Sequence, residues 1–173
     1  MIVSTGIRTD IINHYSDWLF ERFREGFVYT RNPLFPNRVN SYLLQPDKVD
    51  AVLFCSKNYA PALSRLSTIT SHYRTFFHYT ITAYESDIEP NIPEHKDRIR
   101  TLCELEKIVG KERIVWRFEP VFFTNDYPCE RVLDTFDRLA EQIAPHVSGC
   151  VFGFVEAFFN LRTRFPEICP LDN

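Results

Sequence analysis

Short continuous apolar runs alternate with amphipathic segments along this chain, and that alternation is what most restricts its fold. The runs are "MIVST", "AVLFCS", "TFFHYTIT", "RIVWRF" and "GCVFGFV", each of strand length and apolar without a clean period of two. Between them lie segments with helical spacing. One has Ile12, Tyr15, Leu19 and Phe23 on its apolar face and Gly26 as C-cap; "PALSRLSTI" opens on Pro61, whose missing N–H is harmless at a first helical position. Another runs from Pro93 to Val109 with Ile99, Leu102, Cys103 and Val109 on the buried side, and in the last Val132, Phe136, Leu139 and Ile143 recur before Pro145 stops the helix. Strands alternating with such helices imply right-handed crossovers and a parallel sheet, so the fold class is α/β. "FVYTR" and "RVNSYLL" flank the turn-forming "NPLFPN", which predicts a small antiparallel hairpin insert.

At 173 residues the chain is expected to form one domain with a sizeable core. Sixteen phenylalanines weight that core towards aromatics, and Phe76, Phe77, Phe122, Phe123, Phe152 and Phe154 read as part of it rather than as a base-stacking platform. A formal net charge of −3 gives no general attraction for polyanions, so nucleic-acid binding is not indicated. The five cysteines are widely spaced with no C-x-x-C pair, which encodes no local zinc or iron–sulfur motif. An odd number of thiols and an N-terminus without a basic, apolar leader suggest a reduced, cytoplasmic protein. No stretch approaches the roughly 18 apolar residues of a membrane span.

In a parallel sheet, chemistry gathers beyond the carboxyl ends of the strands. Polar residues follow each apolar run: Arg8 and Asp10 after the first, Lys57 and Asn58 after "AVLFCS", Tyr84 to Glu89 after "TFFHYTIT", Arg117 and Glu119 at the end of "RIVWRF", and Glu156 after "GCVFGFV". Arg31 and Asn32 stand at the hairpin turn. Singly, each is a solvated loop residue as readily as a ligand contact. Together they make a candidate site in which Arg8, Lys57 and Arg117 hold a carboxylate or phosphate. Asp10, Glu119 and Glu156 there bind an amine or hydroxyl, act as acid or base, or hold a divalent cation. The five histidines show no zinc-binding spacing, and His78 reads as a core or rim residue. No glycine-rich phosphate loop and no G-x-S-x-G is present.

Six blocks in order, "TGIRTDI", "VYTRNP", "VLFCSKN", "YTITAYESDIEPNIP", "GKERIVWRFEPVFFT" and "CVFGFVE", resemble the bacterial family catalogued as domain of unknown function 1848, from Ile2 to about Glu156. The resemblance implies kinship with radical S-adenosylmethionine barrels, S-adenosylmethionine as a ligand, and a [4Fe–4S] cluster held by cysteines near the C-terminus of longer chains. This sequence departs from that pattern. Cys55 and Ser56 replace Trp-Thr, Tyr59 a proline, Ala83 a glycine, Phe118 a tyrosine, and Glu119 and Glu156 aspartates. Cys169 stands alone, so the cluster is not expected from this chain.

The expected architecture is a partial, TIM-like (β/α) barrel of about five strands over residues 1–156, with the aromatic segment 157–173 packing on it or leading into a missing part. A full barrel needs about 250 residues and eight strands. Open sheet edges then call for a homodimer or for a partner supplying the rest of the barrel. Three functions remain open: binding of S-adenosylmethionine or a small anionic substrate at the strand ends, divalent-metal-assisted hydrolysis or lysis through the rim carboxylates, and a non-catalytic interaction or structural module.

Overall fold

In the computed structural model, which describes residues 1–155, five parallel strands form one sheet. They are β1 (Ile2–Ser4), β4 (Ala51–Ser56), β5 (Thr75–Thr80), β6 (Ile114–Val121) and β7 (Gly149–Phe154), and they lie in that spatial order. Each step along the chain therefore moves to the next position in the same direction. β2 (Phe27–Asn32) and β3 (Phe35–Leu43) pair antiparallel as the separate hairpin.

Burial alternates along β4, β5 and β6. Val52, Phe54 and Ser56, Thr75, Phe77 and Tyr79, and Ile114, Trp116 and Phe118 are buried, whereas Leu53, Cys55, His78, Val115 and Arg117 on the opposite face are only partly covered. The ladders put like with like: Phe54 pairs with Phe77, Tyr79 with Trp116, and Cys55 with His78. The helices α1 (Ile11–Glu25), α3 (His95–Val109) and α4 (Cys129–Ile143) contribute Leu19, Leu102, Leu105, Leu139 and Ile143 to the same core. Aromatic contacts bind strand to strand and sheet to helix: Phe54 of β4 stacks on Phe77 of β5 at 5.1 Å, and Trp116 of β6 on Phe136 of α4 at 5.1 Å. Each such side chain contributes roughly 1.5–3 kcal/mol by leaving water.

Several details differ from the sequence reading. Tyr15 is exposed, because the backbone at Tyr15 leaves the helical region (φ −137°, ψ 32°) and kinks α1; Phe20 is buried instead, beside Leu19 and Phe23. The segment after Pro61 forms a 3₁₀ turn (Leu63–Arg65) and a single helical turn, α2 (Ser67–Thr70). α3 begins at His95, since Glu94 is held extended at ψ 157°. Phe76, Phe152 and Phe154 are not core: Phe76 points to the face away from the helices, and β7 is an edge strand among the described residues. Glu156 and the segment 157–173 lie outside the described residues. Among the described residues, no helix is long and apolar enough to cross a membrane.

Candidate functional site at the carboxyl ends of the strands

Beyond the carboxyl ends of β1, β4, β5 and β6 lies a cavity of about 450 Å³, a volume in the range of small-molecule sites. Four charged residues from four strand ends line it: Asp10 after β1, Lys57 after β4, Glu89 in the loop after β5, and Arg117 on β6. Cys55, Ser56, Thr80, His14 and Asn91 add to its polar wall, and Ile88 and Ile92 supply apolar surface.

Each charge is held by neighbours. Asp10 caps α1 by accepting from the Asn13 N–H at 3.0 Å, and its other oxygen accepts from Ser56 Oγ at 2.9 Å and the Lys57 N–H at 2.8 Å. All three donors come from α1 and the end of β4, so this carboxylate locks the two elements together at the cavity wall. Glu89 is buried. It accepts from Thr82 Oγ1 at 2.9 Å, forms an ion pair with Lys57, and lies 3.4 Å from the Arg98 guanidinium. Arg98 is 2% exposed, and burial holds its pKa below the ordinary arginine value while Glu89 opposes that shift. Among the hydrogen-bonding groups described, its Nε has no partner, which makes Glu89 its main compensation. Arg117 forms an ion pair with Glu119, and a Cβ added at Gly153 of β7 would sit 3.0 Å from Glu119 Oε2. The Glu119–Pro120 peptide is cis.

Arg117 also sets the electrostatics of the open sheet face. Burial pushes the Cys55 thiol up, and the nearby guanidinium partly offsets it. Burial holds His78 below the usual histidine value, with Arg117 adding to the effect. Cys55 and His78 thus add no charge beside Arg117 at neutral pH, and the guanidinium, which Glu119 holds on one side, is left as the group that can meet an anionic ligand atom.

The other residues singled out in the sequence lie apart from this cavity. Arg8 is exposed and donates to the Arg31 carbonyl at 2.9 Å, which ties the β1 loop to the hairpin. Asn32 Oδ1 accepts from the Leu34 N–H at 2.9 Å and shapes the hairpin turn. Asn58 donates from its amide to Asn13 Oδ1 at 2.9 Å. Tyr84 is buried; its hydroxyl donates to the Phe122 carbonyl and accepts from the Phe122 N–H, both at 2.7 Å. Glu119 touches the site only through Arg117. The sequence reading passed over Arg98, Thr82, Thr80 and His14. None of them carried a sequence signal that separates it from an ordinary helix or strand-end residue.

The four thiols among the described residues do not converge. Cys55 lines the cavity, whereas Cys103 is on α3, Cys129 opens α4 and Cys150 is on β7. Among the described residues, no three histidine, cysteine or acidic side chains gather where a metal ion could be held, so these residues do not fit an iron–sulfur cluster.

The family described as "Domain of unknown function (DUF1848)" matches residues 2–173. The chain belongs to this family. No curated protein and no solved structure matches the chain.

Proposed function

We propose that this chain binds a small molecule bearing a carboxylate, with S-adenosylmethionine the leading candidate, in the cavity at the carboxyl ends of its strands. The observation that carries the proposal is the meeting of Asp10, Lys57, Glu89 and Arg117, from four strand ends, around one cavity. Arg117 and Lys57 receive the carboxylate; Glu89, ion-paired with Lys57, holds that ammonium at the wall; Ile88 and Ile92 cover the apolar part. Asp10 keeps the β4 end in place and does not itself meet the ligand.

The sheet supports a barrel-like reading of the same site. The parallel strands follow one another in chain order, and with the right-handed crossovers usual for such strands their helices fall on one face, the order also found in (β/α) barrels. Barrel enzymes place ligands at this end. The face away from the helices, with Cys55, His78 and Arg117, is then the inner wall.

Calorimetric titration with S-adenosylmethionine tests the proposal. Saturable binding that weakens at least tenfold in Arg117→Ala, with the melting temperature retained, is expected. Folded protein that gives no heat at millimolar ligand would remove S-adenosylmethionine, and the same result with methionine and simple dicarboxylates would remove the carboxylate reading.

A further inference from the structure

At the opposite end of the sheet, three side chains outside the cavity form a relay. Cys103 and Glu106 sit three residues apart on α3 and so share one face of the helix. His146 ends the 3₁₀ turn (Ala144–His146) that leads into β7. Cys103 Sγ lies 3.5 Å from His146 Nε2, and His146 Nδ1 lies 2.6 Å from Glu106 Oε2. The side chains of His146 and Glu106 are about one-third exposed, at 30% and 29%. Cys103 is half-buried and a free thiol.

The geometry fixes the direction of the hydrogen bonds. An ionised carboxylate only accepts, so Glu106 requires the proton on His146 Nδ1. The neutral ring then presents a bare Nε2, and the partner at 3.5 Å is the Cys103 S–H. A thiol donating to an imidazole that a carboxylate orients is the arrangement by which a thiol is activated as a nucleophile.

We infer that Cys103 is a reactive thiol, with His146 as its base and Glu106 as a positioning residue, that takes up small solvent-borne disulfides to form a mixed disulfide. His146 Nε2 accepts the S–H proton as the sulfur attacks one atom of the disulfide. A new S–S bond forms at Cys103, the original S–S bond breaks, and the departing thiolate takes the proton back from Nε2. One protein thiol and one disulfide become one mixed disulfide and one small thiol, with no other oxidant consumed. The relay lies at a partly exposed surface, which suits modification by a small solvent-borne reagent. The inference is independent of ligand binding at the carboxyl ends of the strands.

Oxidised glutathione is the probe, and the full chain is followed at neutral pH by mass spectrometry with peptide mapping. The reference is Cys103 itself in the urea-unfolded chain. An ordinary thiol is only a few per cent ionised near pH 7, so activation should make the native thiol about tenfold faster than the unfolded one, although it is half-buried. His146→Gln, which keeps the size of the side chain and loses the base, should fall below the unfolded rate. Nitrogen-15 spectra of the histidine rings give a second readout, with His146 protonated at Nδ1 and bare at Nε2. A native rate at or below the unfolded one, a His146→Gln rate equal to wild type, or an Nε2–H tautomer would each overturn the assignment and leave His146–Glu106 as a simple tie between the turn and α3.

Discussion

Asp10 shows how a side chain singled out for chemistry can be fully engaged in structure. With donors at 3.0, 2.9 and 2.8 Å, its carboxylate has little left for a ligand. Asp10→Ala removes the cap of α1 and strands the Ser56 hydroxyl and the Lys57 N–H, so urea unfolding should show a loss of roughly 2–3 kcal/mol. Histidines give the chain a pH dependence of known sign. Burial, reinforced by Arg98, holds His95 below its ordinary value, and burial with Arg117 does the same for His78. These two histidines take up protons near pH 6.5 in the unfolded chain and only at lower pH in the folded one. Stability is full above that pH and falls as the pH drops through it, until the folded-state values are reached. The melting temperature should be lower at pH 5.5 than at 7.5, and His95→Gln should narrow the gap; an unchanged gap would contradict the assignment. At this scale the sequence was a partial guide. Lys57, Glu89 and Arg117 were legible because each follows or ends an apolar run. The buried Arg98 was not, since an arginine on a charged helix gives no sign in the sequence that a buried glutamate nine residues earlier will face it.

Elements were more legible than their inward faces. Five strands, the hairpin and the long helices follow from apolar runs and turn residues, because hydrophobic spacing and proline geometry act locally. The orientation of Tyr15 did not follow. The first turn of α1 is pinned by Asp10 and by the Asn13–Asn58 hydrogen bond, whereas its later turns are set by packing of Leu19, Phe20 and Phe23. The kink reconciles the two demands, and both arise from tertiary contacts. Gly6 marks another such contact, in the loop that leads from β1 to the cavity. Its φ is +95°, and an added Cβ would meet the Cys55 carbonyl oxygen at 2.6 Å. Gly6→Ala therefore combines a disfavoured backbone with a clash against β4. A loss of 2 kcal/mol or more in chemical denaturation is expected, with weakened ligand binding as Cys55 and Lys57 shift.

At the scale of the whole molecule, the described sheet ends in strands paired on one side only, β1 and β7. Ile2, Phe76 and Val151 expose apolar surface on the face away from the helices, at 71%, 49% and 47%. A second copy of the chain is the expected cover, because parallel edges with apolar faces associate readily. Sedimentation at low micromolar concentration should show a dimer, and Phe76→Glu should shift it towards monomer; a wild-type monomer at that concentration would contradict the expectation. The binding of a small carboxylate-bearing molecule at the strand ends is the central claim, and a nitrogen-15 chemical-shift titration of the labelled chain with S-adenosylmethionine tests it most directly. The account predicts saturable shifts at the cavity wall, at Lys57, Thr80, Ile88, Glu89, Asn91 and Ile92, which in Arg117→Ala require at least about tenfold more ligand. Shifts confined to other surfaces, or a spectrum unchanged at millimolar ligand, would contradict it.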